Sequence, residues 1–292
     1  MPGPGPTLAP EQIEAFWTDG VVCLRGVLPA AWIARLEAAV EEVLAARDGT
    51  DLSALASRID AAGGAVLRDA PAGGAPGGSP RGRFFAGTDH WRRNRIFRDF
   101  ALASPLPAIA ASLLRSRAVS LYEDSLLVKE PGTAERTAFH QDMAYFHVAG
   151  AQVCTTWCPL DRVTAETGAV RYVRGSHRWE REFRPNFFVS AASIPGTEGD
   201  PLPDVEADPG SYDLITFETS PGDVVVHHAR TVHGAPGNAS ATRRRRAVSV
   251  RYCGDDVRFR RRPGAPLKPW QEGVVDGADL DPVECPPARG GA

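Results

Sequence analysis

Three things are scarce in this chain: long apolar runs, pairable cysteines and net charge. No apolar stretch approaches the roughly 18 residues needed to cross hydrocarbon, so no membrane span is expected. The five cysteines, Cys23, Cys154, Cys158, Cys253 and Cys285, are odd in number and scattered. A chain of this size needs no staples, so a disulfide framework is not expected and a reducing cytoplasm fits better. The opening Met1 to Pro6 is rich in Pro and Gly and leads into an amphipathic segment, which is not a secretory pattern. A formal charge of -3 and a pI near 6.2 argue against a nucleic-acid partner. The arginines at 258, 260, 261 and 262 are accordingly read as a solvated edge.

What is present is apolar material, 43% of 292 residues, enough for a substantial core. A single domain over 1–292 is expected, with a helical part at about 10–118, a β core at about 119–257 and an irregular tail at about 258–292. Ile13, Phe16 and Trp17 recur at helical spacing between Pro10 and Gly20. Val21 to Leu24 reads as a short strand. Trp32, Ile33, Leu36, Val40, Val43 and Leu44 give a second helix stopped by Gly49, and Leu106, Ile109, Leu113 and Leu114 a third that starts near Ser104. Between them, Ala61 to Gly82 is dominated by Gly, Ala and Pro and reads as a long loop of the kind that forms lids. A second lid candidate is 186–209.

After Val119 the pattern turns to strands. Tyr122, Asp124, Leu126 and Val128 share a face by period two, so Asp124 sits among apolar neighbours unless that face lines a polar cavity. Further strands are expected at 152–160, 169–173, 214–218, 224–228 and 246–252. Short strands at this spacing without intervening helices indicate a sandwich or barrel.

His140-Gln141-Asp142 carries the chemistry. On a strand, residues two apart point the same way, so His140 and Asp142 can reach one metal. His233 follows the apolar strand opened by Gly222-Asp223 and can be aimed at the same point, with His227 and His228 as competitors. Two imidazoles and a carboxylate hold a ferrous ion on one face and leave three positions for a two-oxygen chelate and dioxygen. Cys154 and Cys158 lack zinc-knuckle spacing and read as buried hydrophobes. If the chelate is a 2-oxo acid, its far carboxylate needs an arginine. Arg245 lies in register with the small Ala247 and Ser249, which leave room for a ligand, and is preferred. Arg244 is the alternative, and Arg243 and Arg246 are read as surface charges.

These residues stand in ordered company: Phe16 to Gly20, Leu24 to Leu28, Val128 to Gly132, Gly168 to Val170, Gly175-Ser176-His177, Pro221 to Asp223, His233 to Ala235 and Arg245 to Ser249. In that order, from about 11 to 257, the chain resembles the phytanoyl-CoA dioxygenase family. The resemblance implies a mainly β fold with flanking helices, a double-stranded β-helix or cupin-like jelly roll. It implies Fe(II) held by His140, Asp142 and His233, with 2-oxoglutarate and O2 as cosubstrates. Arg245 would bind the far carboxylate and Trp157 would line that pocket. The family spacing from the distal histidine to the arginine is one residue shorter, which keeps Arg244 open. The implied reaction is hydroxylation, or another oxidation, of a small biosynthetic metabolite with release of succinate and CO2. Halogenation is disfavoured, because halogenating relatives replace the carboxylate that Asp142 retains. Asp124, Tyr145 and His147 are candidate substrate contacts, His90 and His147 are expected at the surface or a pocket wall, and His177 is expected to cap its own turn. The competing reading is a cupin-type metal-binding isomerase or ligand-binding protein.

Overall fold

The computed structural model describes residues 7–69 and 82–288. The lid expected over Ala61 to Gly82 therefore lies largely outside the described residues. In chain order the elements begin with α1 (Pro10–Asp19), β1 (Val21–Leu24), α2 (Ala30–Ala46), β2 (Thr50–Asp51), α3 (Leu52–Ala61), β3 (Phe84–Thr88), α4 (Arg95–Ala103) and α5 (Leu106–Leu114). The β region follows with β4 (Val119–Lys129), β5 (Thr137–His140), β6 (Val148–Ala149), β7 (Val153–Pro159), β8 (Arg171–Val173), β9 (Leu214–Thr216), β10 (Val224–His228), β11 (His233–Ala235), β12 (Arg245–Cys253), β13 (Arg258–Phe259) and β14 (Pro287–Ala288).

Local sequence sets the helix ends. Pro10 opens α1, and Gly20 closes it in the left-handed region at φ 82°, its N–H bonded to the Phe16 carbonyl. Gly20 is also obligatory for space, since a Cβ there would lie 2.4 Å from His177 Nδ1. The second helix stops earlier than expected, on Arg47 in a left-handed cap and not on Gly49. The helices α3 and α4 were not anticipated, nor were β3 and the short strands β2, β6, β11, β13 and β14. Asn94 caps α4 by accepting from the Ile96 and Phe97 amides, a signal present in the sequence but masked by the surrounding arginines.

One sheet runs β1-β10-β7-β12-β4-β3-β2, with β14 added to β4, and a smaller one runs β5-β11-β8-β9. Every pairing within them is antiparallel. The jelly-roll expectation is borne out. The outer face of the large sheet packs on the helices through Leu126, Val128, Cys154, Cys158, Val224, Val226, Val248 and Val250, joined by Phe16, Leu36, Phe97, Phe100 and Ile109. This dry interface supplies the main hydrophobic stabilisation. Among the described residues no single helix is long and apolar enough to cross a membrane. The inner face of the large sheet and the small sheet together enclose the candidate site.

One parity expectation fails. Opposite Arg251 lies Glu123, but opposite Tyr252 lies Leu121, so Tyr122 is an extra residue in β4. A bulge of this kind reverses which side each residue faces. Tyr122 therefore joins an inner cluster with Met143, Phe146 and Val153, whereas Asp124 turns with Leu126 and Val128 to the helix side. Two charge expectations also fail. Arg246 is buried in a network with Asp161, Glu37 and Glu41, because the outer face onto which it projects is covered by α2. Arg262 is only partly exposed and donates to the Phe146 carbonyl at 2.7 Å. The tail is not loose: β13 pairs with β6, β14 pairs with β4, and 266–268 reach the site.

Candidate active site

His140 is the last residue of β5 and His233 the first of β11, and the two are direct cross-strand partners in the small sheet. Their rings lie 4.3 Å apart, centroid to centroid. Each ring is fixed by its own backbone: His140 Nδ1 lies 2.8 Å from the Ala138 carbonyl and His233 Nδ1 2.9 Å from the Thr231 carbonyl. An Nδ1–H donated to each carbonyl leaves both Nε2 lone pairs facing inward. Asp142 is not a strand residue, as the His-x-Asp reading supposed. It begins a 3-10 turn that runs to Tyr145, and this turn brings its carboxylate under the two imidazoles. Asp142 Oδ1 lies 3.4 Å from His140 Nε2 and 3.8 Å from His233 Nε2, and one ligand atom from each of the three falls within 4.8 Å of the others.

The electrostatics prepare the group for a cation. Burial pushes the Asp142 carboxyl up, but the adjoining His140 and His227 imidazoles and the charge of Arg251 outweigh it and hold the group well below its ordinary value. Burial, with the neighbouring imidazoles, holds His233 well below the ordinary histidine value. A carboxylate beside a neutral imidazole is the state in which both can ligate.

A narrow cavity continues behind these three, lined by Thr155, Trp157, Tyr172, His227, Arg245, Ser249 and Arg251. Arg245 is fully buried, and its guanidinium stands 5.8 Å from the Trp157 ring. Burial lowers its pKa to about 10, so it is still a cation at neutral pH. Among the described residues no carboxylate pairs with it. Among the described residues, five buried polar atoms around this cavity have no hydrogen-bond partner: Trp157 Nε1, Tyr172 Oη, His227 Nδ1, Arg245 Nε and Arg251 Nε. Buried polar groups are seldom left so, and their grouping around one cation fits a small polar anion. Arg244, by contrast, is partly exposed and pairs with Glu41 outside the barrel.

A larger cleft of about 600 Å³ opens on the other side of His140 and Asp142. Leu52, Leu127, Phe146 and Phe188 form its apolar wall, and Lys268 from the tail reaches across to Asp89 at 2.8 Å and Glu123 at 2.7 Å. Tyr145 lines this cleft, with its hydroxyl on the Asn186 side chain at 2.8 Å. The other two candidate substrate contacts are not there. Asp124 is turned to the helix side by the bulge and accepts from the Trp91 amide. His147 is buried between the Pro266 carbonyl, 3.0 Å from its Nε2, and the Arg262 amide, which donates to its Nδ1. His90 is fully buried against the Phe97 ring, where a surface or pocket-wall position was expected. His177 does not cap its own turn; its Nε2 lies 3.0 Å from the Trp17 carbonyl and ties the turn to α1.

Thr155, Tyr172 and Arg251 were missed as lining residues. Thr155 and Arg251 carried a signal, since each shares strand parity with a residue already placed inward, Trp157 and Arg245. Tyr172 carried none. Of the histidine competitors, His228 is a satisfied core residue on the Ala151 carbonyl and the Arg230 amide, and His227 faces the site.

A family model described as phytanoyl-CoA dioxygenase (PhyH) matches residues 16–247. A curated protein from Stutzerimonas stutzeri named as a probable alpha-ketoglutarate-dependent hypophosphite dioxygenase is 29% identical over 143 residues, 48% of this chain and 46% of that protein. The multifunctional dioxygenase prhA of Penicillium brasilianum is 25% identical over 145 residues, 47% of this chain and 42% of its own. The chain thus matches less than half the length of these curated relatives. Among solved structures, the non-heme alpha ketoglutarate dependent carbocyclase SnoK from nogalamycin biosynthesis superposes with a TM-score of 0.69 at 25% identity, over 99% of this chain and 100% of that one.

Proposed function

We propose that this chain, which belongs to the phytanoyl-CoA dioxygenase family, is an Fe(II)- and 2-oxoglutarate-dependent dioxygenase acting on a small-molecule metabolite in the cytoplasm. The observation that carries the reading is the convergence of His140 Nε2, Asp142 Oδ1 and His233 Nε2 in front of a buried Arg245 that has no carboxylate partner among the described residues. The donor set suits ferrous iron, and one face of such a site stays open. Iron there would supply the activation of dioxygen, coupled to oxidative decarboxylation of the 2-oxo acid to succinate and CO2. The remaining work belongs to the chain. Arg245 holds the far carboxylate of the cosubstrate by charge-assisted hydrogen bonds, and Trp157 Nε1 and Tyr172 Oη are placed to add donors to the same cavity. Burial of the whole pocket excludes water and strengthens each of these contacts.

The substrate occupies the larger cleft, against Tyr145 and Phe188. The cleft's charged groups are already matched to one another, Lys268 with Asp89 and Glu123, and Arg93 with Asp48. That pairing supports an uncharged or weakly charged substrate over one with phosphates to neutralise. The likeness to an enzyme of nogalamycin biosynthesis supports a biosynthetic setting, and hydroxylation is the simplest outcome of the site. Anaerobic titration with Fe(II) and 2-oxoglutarate tests the reading: a visible charge-transfer band is expected in the wild type and none in Asp142→Ala. Aerobic succinate formation should drop by more than about 100-fold in that variant, since loss of an outer-shell partner alone costs 10–100-fold. A wild-type protein that is folded yet gives neither band nor succinate would falsify the proposal.

A further inference from the structure

We infer that His227 is a positioning residue that fixes which oxygen Asp142 presents to the metal. The inference rests on the iron-site reading above and adds a residue to it. The two oxygens of Asp142 have separate surroundings. Oδ1 faces His140 and His233. Oδ2 accepts from Thr155 Oγ1 at 2.5 Å and lies 3.2 Å from His227 Nε2.

Thr155 and His227 are themselves direct cross-strand partners on β7 and β10. The large sheet thus grips one oxygen with a matched pair of donors, while the ligand-bearing turn hangs from the small sheet. Without that grip the carboxylate, set on a short turn, is free to rotate about Cβ–Cγ or to swing toward Arg251, whose Nε lies 3.9 Å from Oδ2. Rotation would let both oxygens coordinate and consume one of the positions that a chelate and dioxygen need.

The histidine is built for this task. It is 2% exposed, and its ring is packed, tilted, against His233 at 4.3 Å and Tyr172 at 5.3 Å, centroid to centroid, so it cannot turn away. Its Nδ1 has no partner among the described residues, so the tautomer with hydrogen on Nε2 has Asp142 as its acceptor. A histidine that merely fills a core looks like its neighbour His228, whose two nitrogens are both engaged with backbone. Nor does His227 belong to the ligand group, because its Nε2 is already committed to Oδ2. No rule of spacing could have separated the two histidines; strand parity does, since His227 faces the cavity with Val225 and His228 faces α1.

The test is calorimetric titration of the metal-free protein with Co(II), a stable stand-in for Fe(II), on variants shown to be folded by circular dichroism and melting. Removal of an outer-shell partner typically weakens metal affinity 10–100-fold. His227→Phe, which keeps the bulk and loses the donor, is expected to show that loss. His227→Gln, whose amide nitrogen can stand where Nε2 stood, is expected to stay within about threefold of wild type. If the Phe variant does not fold, His227→Leu takes its place. Wild-type affinity in the donor-free variant overturns the inference, and so does an equal loss in the Gln and Phe variants, which would assign the residue to packing or to direct ligation. A folded wild type that binds no Co(II) at all would instead remove the metal reading itself, and this inference with it.

Discussion

Arg245 and Arg246 are consecutive residues of β12, and both are hidden from water, yet they live on opposite faces of the large sheet. Arg246 points to the helices and meets Asp161 Oδ1 at 2.8 Å, Glu37 Oε1 at 3.0 Å and Glu41 Oε1 at 2.9 Å. Arg245 points into the barrel, and among the described residues it meets no carboxylate and its Nε has no partner. The outer face was assembled to be complete in the protein alone. The inner face was assembled to be completed by something else, and the difference marks where stability has been given up for binding.

The size of that concession can be stated. Burial moves the Arg245 pKa from the ordinary arginine value down to about 10, which corresponds to roughly 3 kcal/mol held against the folded, ligand-free state. Arg245→Met should therefore separate function from stability. Affinity for 2-oxoglutarate is expected to drop by about 2–5 kcal/mol, a factor of 30 or more, the range for losing one side of a buried charge pair. Urea unfolding without cosubstrate should show no loss of stability, and a gain of up to about 3 kcal/mol. Arg244→Met, at an exposed pair, should leave affinity unchanged and stability within about 0.5 kcal/mol. If Arg244→Met instead weakens cosubstrate binding and Arg245→Met does not, the two faces have been assigned the wrong way round.

Arg246→Met is the mirror experiment. It strands Asp161, which the guanidinium contacts through two nitrogens. Breaking a fully buried pair costs about 3–5 kcal/mol, and the partial exposure of Glu37 and Glu41 lowers the expectation here to about 2–3 kcal/mol. Cosubstrate affinity should stay within about twofold in the same variant. Equal stability of the two Met variants in urea would erase the contrast between the faces.

Much of this contrast is legible in the sequence, because it rests on parity. Arg245, Ala247, Ser249 and Arg251 alternate with Arg246, Val248, Val250 and Tyr252, and the choice of Arg245 over Arg244 followed from the small residues in its row. His140, Asp142 and His233 were legible as a set of ligand types, although the turn that carries Asp142 was not. The failures have a common cause. A bulge at Tyr122 reverses parity without any Gly to announce it, and so sent Asp124 to the wrong face. Arg246 was misread because charge suggests surface unless the covering helix and its two glutamates are known. His147 was misread because its partners come from the tail, far along the chain. Long-range pairing is what a local pattern cannot contain.

The misplaced residue offers the smallest and sharpest test. Asp124 is fully buried on the outer face, where Oδ2 takes the Trp91 amide and Oδ1 has no partner among the described residues. Burial, with help from the nearby charges of Asp89 and Glu123, raises its pKa to about 7, only partly countered by Arg251. An unfolded aspartate titrates near about 3.9. Between those values the folded protein holds a proton that the unfolded chain releases, so this group makes stability fall as pH rises, and its effect levels off above about 7. Asp124→Asn keeps the acceptor for Trp91 and removes the titration. The difference in unfolding free energy between the variant and the wild type should therefore grow by about 1–2 kcal/mol from pH 5 to pH 7 and then stay flat. Parallel profiles across that window would mean that Asp124 is solvated or paired, and that the outer face is less dry at this strand than its burial indicates.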